Sequence, residues 1–225
     1  MYVLKTRKEP GKQGEDASKR RKAGMLACCV LAAGLALAPK GARADSVEWM
    51  AGNKNNTGDL KASGAITEKV GVFTRFRPTV DYKGTPSTFG VADLLLGLGH
   101  GFDAVSEVRF AGGKVIPRGG VSYTAKTASF CISAVASLGL DSEPYFESLT
   151  NVRYTPDIYR SLKLLMQGEN ITDLSAAGHD SSKQRLRLGL ELRSWGAGAG
   201  LDLLETGNKP DFGVWNAGGF VSKKF

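Results

Sequence analysis

A nine-residue stretch toward the carboxyl terminus alternates strictly between apolar and polar positions. It reads Arg185-Leu186-Arg187-Leu188-Gly189-Leu190-Glu191-Leu192-Arg193, with leucine at every even position. Side chains two residues apart lie on one face of a β-strand, whereas on a helix they would spread around the axis. The stretch is therefore predicted to be a strand with one apolar face and one charged face.

Such alternation fits two kinds of β-barrel. A membrane barrel turns its apolar face to lipid and keeps polar side chains inside. A soluble barrel or sandwich buries the apolar face and exposes the charges to water. Because the pattern within the strand is the same in both cases, other parts of the chain must decide between them.

The first 44 residues have the order of a secretory signal peptide. A basic cluster at Lys19-Arg20-Arg21-Lys22 precedes the uncharged stretch 23–38, and Ala42-Arg43-Ala44 forms a small-x-small cleavage site. The apolar run is shorter than the roughly 20 residues of a spanning helix, which argues against an uncleaved anchor. Met1 to Ala44 is therefore predicted to be removed after export by the general secretory route, with cleavage after Ala44.

Removal of this leader changes the charge and cysteine content of the chain. The leader carries ten of the 30 basic residues and three of the 22 acidic residues, which leaves 20 and 19 in the remainder. This near balance removes the basic excess that would indicate a nucleic-acid partner. Cys28 and Cys29 also lie in the leader, and Cys131 alone cannot form an internal disulfide or a metal cluster.

The remaining chain is predicted to contain two parts. Residues 45–68 are polar and irregular, and they are expected to form a flexible N-terminal periplasmic segment that trails or plugs a barrel. From residue 69 to 225, alternating stretches and turn residues predict about ten strands in a meander of hairpins, and eight to twelve would fit. The longest polar gap, Glu169 to Lys183, is predicted to be an outer loop.

Three features favour a membrane barrel. The first is that the longest polar gap is predicted to fall on the outer side, since outer-membrane barrels keep periplasmic turns short and outer loops longer. Aromatic residues lie at the ends of predicted strands, where a membrane barrel places its interfacial girdle. These residues are Tyr82, Phe102, Phe110, Tyr145, Tyr154, Tyr159, Trp195 and Phe212. The last residue, Phe225, closes a predicted strand. The fold is therefore predicted to be an all-β, antiparallel, up-and-down transmembrane β-barrel.

In its leader, its meander, its aromatic strand ends and Phe225, the chain resembles the small outer-membrane β-barrel proteins of Gram-negative bacteria. The resemblance covers roughly residues 70–225 and is one of pattern. In that group a terminal phenylalanine serves as an assembly signal, which Phe225 matches, although Lys223 stands where an apolar residue is usual. The resemblance implies location in the outer membrane, insertion by the barrel assembly machinery and contact with outer-membrane lipid and lipopolysaccharide. It implies no single function.

The charged face of the strands would then line the barrel interior. The predicted lumen-facing residues are Arg75, Arg77, Arg185, Arg187, Glu191 and Arg193, and Glu107, Arg109, Glu147 and Arg153 are expected to join them. Charges in such an interior must be paired or hydrated. The interior is thus expected to be either packed or a narrow wet passage with an arginine bias. The predicted function is structural, or a narrow and weakly anion-selective channel, and non-enzymatic.

Two alternatives remain. His179, Ser181 and Glu191 resemble the catalytic set of the outer-membrane lipid A deacylases in residue type and order, which implies a lipid-modifying hydrolase, although Ser182 stands where that family has asparagine. The second alternative is a soluble periplasmic β-barrel that binds a hydrophobic ligand. The sequence contains no metal-ligand constellation, phosphate loop or dinucleotide fingerprint, so no metal or other cofactor is expected.

Overall fold

The structure, a computed structural model, describes residues 43–140, 145–207 and 214–225. These residues form thirteen β-strands, of which twelve build the wall of a barrel and one, β9, has three residues. The strands are β1 (Arg43–Gly52), β2 (Asn55–Ala65), β3 (Val70–Asp81), β4 (Pro86–Gly99), β5 (Phe102–Ala111), β6 (Lys114–Lys126), β7 (Phe130–Gly139), β8 (Phe146–Tyr154), β9 (Asp157–Tyr159), β10 (Leu162–Ser175), β11 (Gly178–Leu192), β12 (Trp195–Thr206) and β13 (Val214–Lys224). No helix among the described residues is long and apolar enough to cross a membrane.

The sheet closes on itself through its first and last strands. Each wall strand pairs antiparallel with its neighbours along the chain, and β8 pairs directly with β10. β1 pairs with β13 in a continuous register that places Ser46 opposite Lys224 and Met50 opposite Phe220. Closure leaves no unpaired edge among the twelve wall strands that the structure describes. We call the end of the barrel where Arg43 and Phe225 lie the terminal end.

The prediction of a flexible segment at 45–68 is wrong, because β1 and β2 occupy residues 43–65 and belong to the wall. The polar residues of β2 find partners in the barrel interior, where Asp59 accepts hydrogen bonds from Arg75 and Arg185. Asn216 on β13 holds the hairpin between them, since its Oδ1 accepts from the backbone N–H groups of Lys54 and Asn55 at 2.9 and 3.2 Å. These two strands raise the number in the wall from the predicted ten to twelve.

The prediction of an outer loop at Glu169–Lys183 is also wrong. These residues form the end of β10 and the start of β11, joined by a turn at 176–177. Polar side chains pair across the hairpin, for example Thr172 with Ser182, whose oxygens lie 3.1 Å apart. The segment is polar because of these contacts and not because it leaves the wall.

The predicted signal peptide, Met1 to Ala44, lies outside the described residues apart from Arg43 and Ala44, at which β1 begins.

The two faces of the wall have opposite chemistry, and β11 shows this most clearly. Its even-numbered leucines face outward, and Leu188 is 55% exposed. Its odd-numbered charges face inward, and Arg187 is 4% exposed. A soluble barrel would have the reverse arrangement. The alternative of a soluble periplasmic barrel is therefore wrong for this fold.

Exposed aromatic side chains lie near both ends of the outer surface. Several of the residues predicted to form an interfacial girdle are among them. Phe102, Tyr154 and Trp195 lie toward the terminal end and Tyr82 toward the other. Three named residues differ: Phe110 is buried, Tyr145 packs against the guanidinium of Arg118, and Phe212 lies outside the described residues. The outer surface thus combines an apolar band with aromatic ends.

Candidate functional site: the charged interior

A layer of four arginines and four carboxylates crosses the barrel interior. β3 and β11 each supply two arginines spaced by two residues, which strand alternation directs inward. We call this set the ion-pair layer. Its members are Arg75, Arg77, Arg185, Arg187, Glu48, Asp59, Glu169 and Asp202.

Arg75 spans the barrel at this layer. Its Nε and Nη2 donate to the two carboxylate oxygens of Asp59 on the neighbouring strand at 2.8 and 2.6 Å. Its Nη1 lies 2.8 Å from Oε2 of Glu169 on β10. β3 and β10 are six strands apart in either direction around the wall of twelve, so this ion pair joins opposite sides. Side chains therefore close the interior of the barrel at the level of the ion-pair layer.

Arg77 and Arg185 reinforce the same contact. Arg77 donates to Glu169 at 2.7 Å. Arg185 donates to Asp59 at 2.6 Å and to Glu48 at 2.8 Å. Each carboxylate of the layer thus touches one or more guanidinium groups, as buried charges require.

Arg187 completes the layer on the side of β12 and β13. It donates to Glu48 at 3.0 Å, to Asp202 at 2.7 Å and to the carbonyl oxygen of Leu186 at 2.9 Å. Its guanidinium carbon lies 5.8 Å from the centre of the Phe220 ring. Phe220 packs in turn with Met50 and Leu165 into a small apolar core inside the barrel.

A second group of ion pairs fills the side of the interior formed by β5, β6 and β8. Arg118 donates to Glu107 at 2.9 Å and to Glu147 at 2.6 Å. Arg109 pairs with Glu147 and lies 3.3 Å from a carboxylate oxygen of Asp173. The expectation that Glu107, Arg109, Glu147 and Arg153 face the interior agrees with these positions.

Glu191 lies inside the barrel at the terminal end. It pairs with Arg153 and, at 2.7 Å, with the ammonium of Lys224. Glu191 therefore has two cations around it.

Two cavities lie on either side of the ion-pair layer. The lower cavity, of about 410 Å³, extends from Glu48, Asp59, Arg75 and Glu169 to the terminal end. The upper cavity, of about 360 Å³, lies against Arg77, Arg185 and Asp202 and extends to the opposite end. The layer therefore separates two spaces that would form one passage if the cross-barrel ion pairs parted.

The structure places five of the six predicted lumen residues inside the barrel: Arg75, Arg77, Arg185, Arg187 and Glu191. The prediction that Arg193 faces the lumen is wrong. It lies exposed in the turn between β11 and β12 with a φ of 56°, because the strand ends one residue earlier.

The arginine bias expected for the interior is not confirmed, since a carboxylate faces each arginine of the layer. Sequence reasoning missed Glu48 and Asp59 because they lie in the segment taken as flexible. It missed Glu169 because it lies in the predicted loop. The signal that could have revealed Asp59 is the alternation of Thr57, Asp59 and Lys61 in β2.

The candidate catalytic residues are not brought together. His179 Nε2 lies 2.8 Å from Oγ of Ser182, whereas Ser181 donates to Asp173 at 3.1 Å. Glu191 lies at the other end of β11, twelve residues from His179 and thus about 40 Å along the strand. The predicted triad of His179, Ser181 and Glu191 therefore does not form.

Among the described residues, no group of three or more histidine, cysteine, aspartate or glutamate side chains could hold a metal ion.

Known proteins resemble this chain in fold and not in sequence. No protein-family model and no curated protein matches the sequence. The NanC porin superimposes with a TM-score of 0.51 at 10% identity, over 81% of this chain and 98% of the porin chain. The KdgM porin gives a TM-score of 0.49 at 9% identity, over 81% of this chain and 99% of its own. The closed antiparallel barrel and its likeness to NanC show that the chain has the fold of the outer-membrane β-barrel porins.

Proposed function

We propose that this protein is an outer-membrane channel of low conductance whose passage is closed at the ion-pair layer while the cross-barrel ion pairs are formed, and opens when they part. The observation that carries the proposal is the pairing of Arg75 with Glu169 across the barrel, with a cavity on each side. Ion pairs between flexible side chains can part and re-form without any change in the wall. A small solute could then pass between the two cavities. If a packed apolar segment closed the barrel instead, that whole segment would have to move before a solute could pass.

The passage is proposed to favour anions weakly. The four arginines of the layer are balanced by four carboxylates. Toward the terminal end, Arg153 and Lys224 share the single carboxylate of Glu191, which leaves one of these two cations without a carboxylate of its own. Rings of cationic side chains favour anions in pores, and a small surplus supports only a small preference.

Planar-bilayer recordings of wild-type protein and of Glu169→Gln test this proposal. The wild-type protein should show a small conductance with anion preference. Glu169→Gln removes the carboxylate that Arg75 reaches across the barrel, so both the conductance and the anion preference should increase. Asp157→Asn is the control, since Asp157 pairs at 3.4 Å with Lys163 outside the layer. Cation preference, or the absence of conductance in both wild type and Glu169→Gln, would overturn the channel proposal.

The location is part of the same proposal. An exposed apolar band on the wall supports insertion in a bilayer that contains lipopolysaccharide in its outer leaflet. Phe225 would present the assembly signal to the barrel assembly machinery.

Residues 1–44 are proposed to be removed during export. Amino-terminal sequencing of protein from an outer-membrane fraction should begin at Asp45. Recovery of the intact leader in an inner-membrane fraction would contradict the proposed export and location.

A further inference from the structure

The lower cavity is open at the terminal end of the barrel. Its lining includes Ser63 and Thr124, which are exposed near the ends of β2 and β6. The side chain of Lys224, also in the lining, is 39% exposed. At the inner end, Asp59, Arg75 and Glu169 of the ion-pair layer form the floor. The cavity is thus a blind pocket with a wet mouth, and its volume of about 410 Å³ suits a small molecule.

Much of the side wall of this pocket is apolar. Apolar side chains from six different strands contribute to it and face one another across the interior: Phe73, Leu95, Val105, Val135, Leu149 and Leu165. An interior that only had to fill with water or conduct ions would not need this surface. An apolar wall with a few polar groups is the composition of a small-molecule site.

Lys61 on β2 has no carboxylate of its own, because the carboxylates near it, Asp59 and Glu169, pair with Arg75. Its side chain lines the pocket near the ion-pair layer. Within the part of the chain that the structure describes, no carboxylate lies within 4.0 Å of its ammonium and no hydrogen bond satisfies it. The four arginines and four carboxylates of the layer balance without Lys61, so its ammonium adds one positive charge at the inner end of the pocket. A cation in such a setting is stabilised by an anion that displaces water and supplies the missing partner.

The opposite wall limits the charge of the ligand. Asp93 and Asp103 line the same pocket from β4 and β5. Oδ1 of Asp93 is buried and accepts no hydrogen bond from any described group, and Asp103 has only a hydroxyl donor, Ser122, at 3.3 Å. A second negative charge on a ligand would therefore meet carboxylates and not cations.

We propose that the lower cavity binds a small amphipathic monoanion, with its carboxylate at the Lys61 ammonium and its apolar body against the wall between Phe73 and Leu165. The site goes beyond the proposed channel function, because binding at equilibrium requires no passage through the ion-pair layer. It would be entered from the terminal end.

Calorimetric titration of the folded barrel in detergent tests the ligand class, with 3-phenylpropionate as the probe. Three compounds each differ from the probe in one feature. 3-Phenylpropanol lacks the charge, propionate lacks the apolar body and phenylsuccinate has a second carboxylate. Each should bind about tenfold or more weakly than 3-phenylpropionate, which corresponds to one lost charged or apolar contact. Equal binding of 3-phenylpropanol and 3-phenylpropionate would overturn the role of Lys61.

Lys61→Met tests the anchor, because it keeps the length of the side chain and removes the charge. It should lower the affinity for 3-phenylpropionate about tenfold and leave that for 3-phenylpropanol unchanged. Lys163→Met is the matched control, since Lys163 pairs with Asp157 and lies outside the lining of the pocket. The two variants should be equally well folded, as judged by migration on a gel before and after boiling.

Cys131 provides an independent readout on the same molecule, because its side chain lines the pocket. Saturating 3-phenylpropionate should slow modification of Cys131 by a thiol reagent, as followed by mass spectrometry of its peptide. The ligand concentration that gives half-maximal protection should rise about tenfold in Lys61→Met and stay unchanged in Lys163→Met. Binding without protection of Cys131 would place the ligand elsewhere. Because neither measurement involves conductance, the binding site and the channel can fail independently.

Discussion

Arg118 is the least exposed charged side chain that the structure describes, at 1%. Its guanidinium joins Glu107 and Glu147 and lies 5.1 Å from the centre of the Tyr145 ring. At the scale of the single residue, Arg118 and the two carboxylates stabilise the interior only as a matched set of charges. Removing one partner leaves the other buried and unpaired, which costs more than the intact pair contributes.

Arg118→Met should therefore destabilise the folded barrel by about 3–5 kcal/mol, since it leaves Glu107 without its arginine. The free energy of unfolding in lipid vesicles, measured with urea, checks this value. The matched control is Arg193→Met in the exposed turn, which should change stability by no more than about 0.5 kcal/mol. Equal stability of the two variants would mean that Glu107 does not depend on Arg118.

At the scale of the element, β12 presents glycine to the interior at alternate positions. Gly196, Gly198 and Gly200 face inward, and this makes room for the side chains that cross from other strands. A Cβ on Gly200 would lie 3.1 Å from Nη1 of Arg187. A Cβ on Gly198 would overlap the carbonyl oxygen of Leu188 on the neighbouring strand. The glycine repeat thus lies in a barrel strand, where it leaves room for Arg187 and for the backbone of β11, and it does not form a phosphate-binding loop.

Gly198→Ala should destabilise the barrel by about 1–3 kcal/mol, because the backbone of β11 and β12 must move apart to admit the methyl group. Gly219→Ala on β13 is the control, since its Cβ would meet nothing closer than 3.8 Å. Thermal midpoints of the conversion between folded and unfolded gel bands compare the two. A midpoint for Gly198→Ala equal to that of Gly219→Ala would show that the wall tolerates a side chain there.

At the scale of the whole molecule, the barrel is apolar outside and charged inside. Such a molecule requires lipid or detergent around it, because many leucines and aromatic residues are exposed on its outer surface. This arrangement also explains why the interior ion pairs stay formed. The wall shields them from bulk water, which reaches the interior only from the two ends.

Leu188→Arg places a charge on the outer band and should destabilise the inserted barrel by about 2–4 kcal/mol if the site lies near the bilayer midplane. Leu192→Arg, at the end of the same strand beside Trp195, should destabilise the inserted barrel by only about 0–1 kcal/mol. Folding equilibria in lipid vesicles measure both. The membrane assignment fails if the wild-type chain folds and stays monomeric in buffer without detergent.

The sequence by itself determined the strands and their two faces. The period of the side chains along a strand is a local property, so the leucines and arginines of β11 reveal an apolar face and a charged face without any knowledge of neighbours. The prediction of an outer-membrane β-barrel is confirmed at the level of the fold. The same local pattern predicts that Arg75, Arg77, Arg185 and Arg187 point inward, and their side chains lie inside the barrel.

Only the tertiary structure decided how many strands close the wall and which charges meet. Glu48 and Arg185 are separated by 137 residues along the chain yet lie 2.8 Å apart, because closure brings β1 and β11 within reach of each other. The polar sequence of β2 forms a strand only because the interior supplies partners such as Arg75 for Asp59. Arg193 shows the converse, since alternation continues into it while the backbone has already turned. Register and closure are relations between distant segments, and a local period carries no information about them.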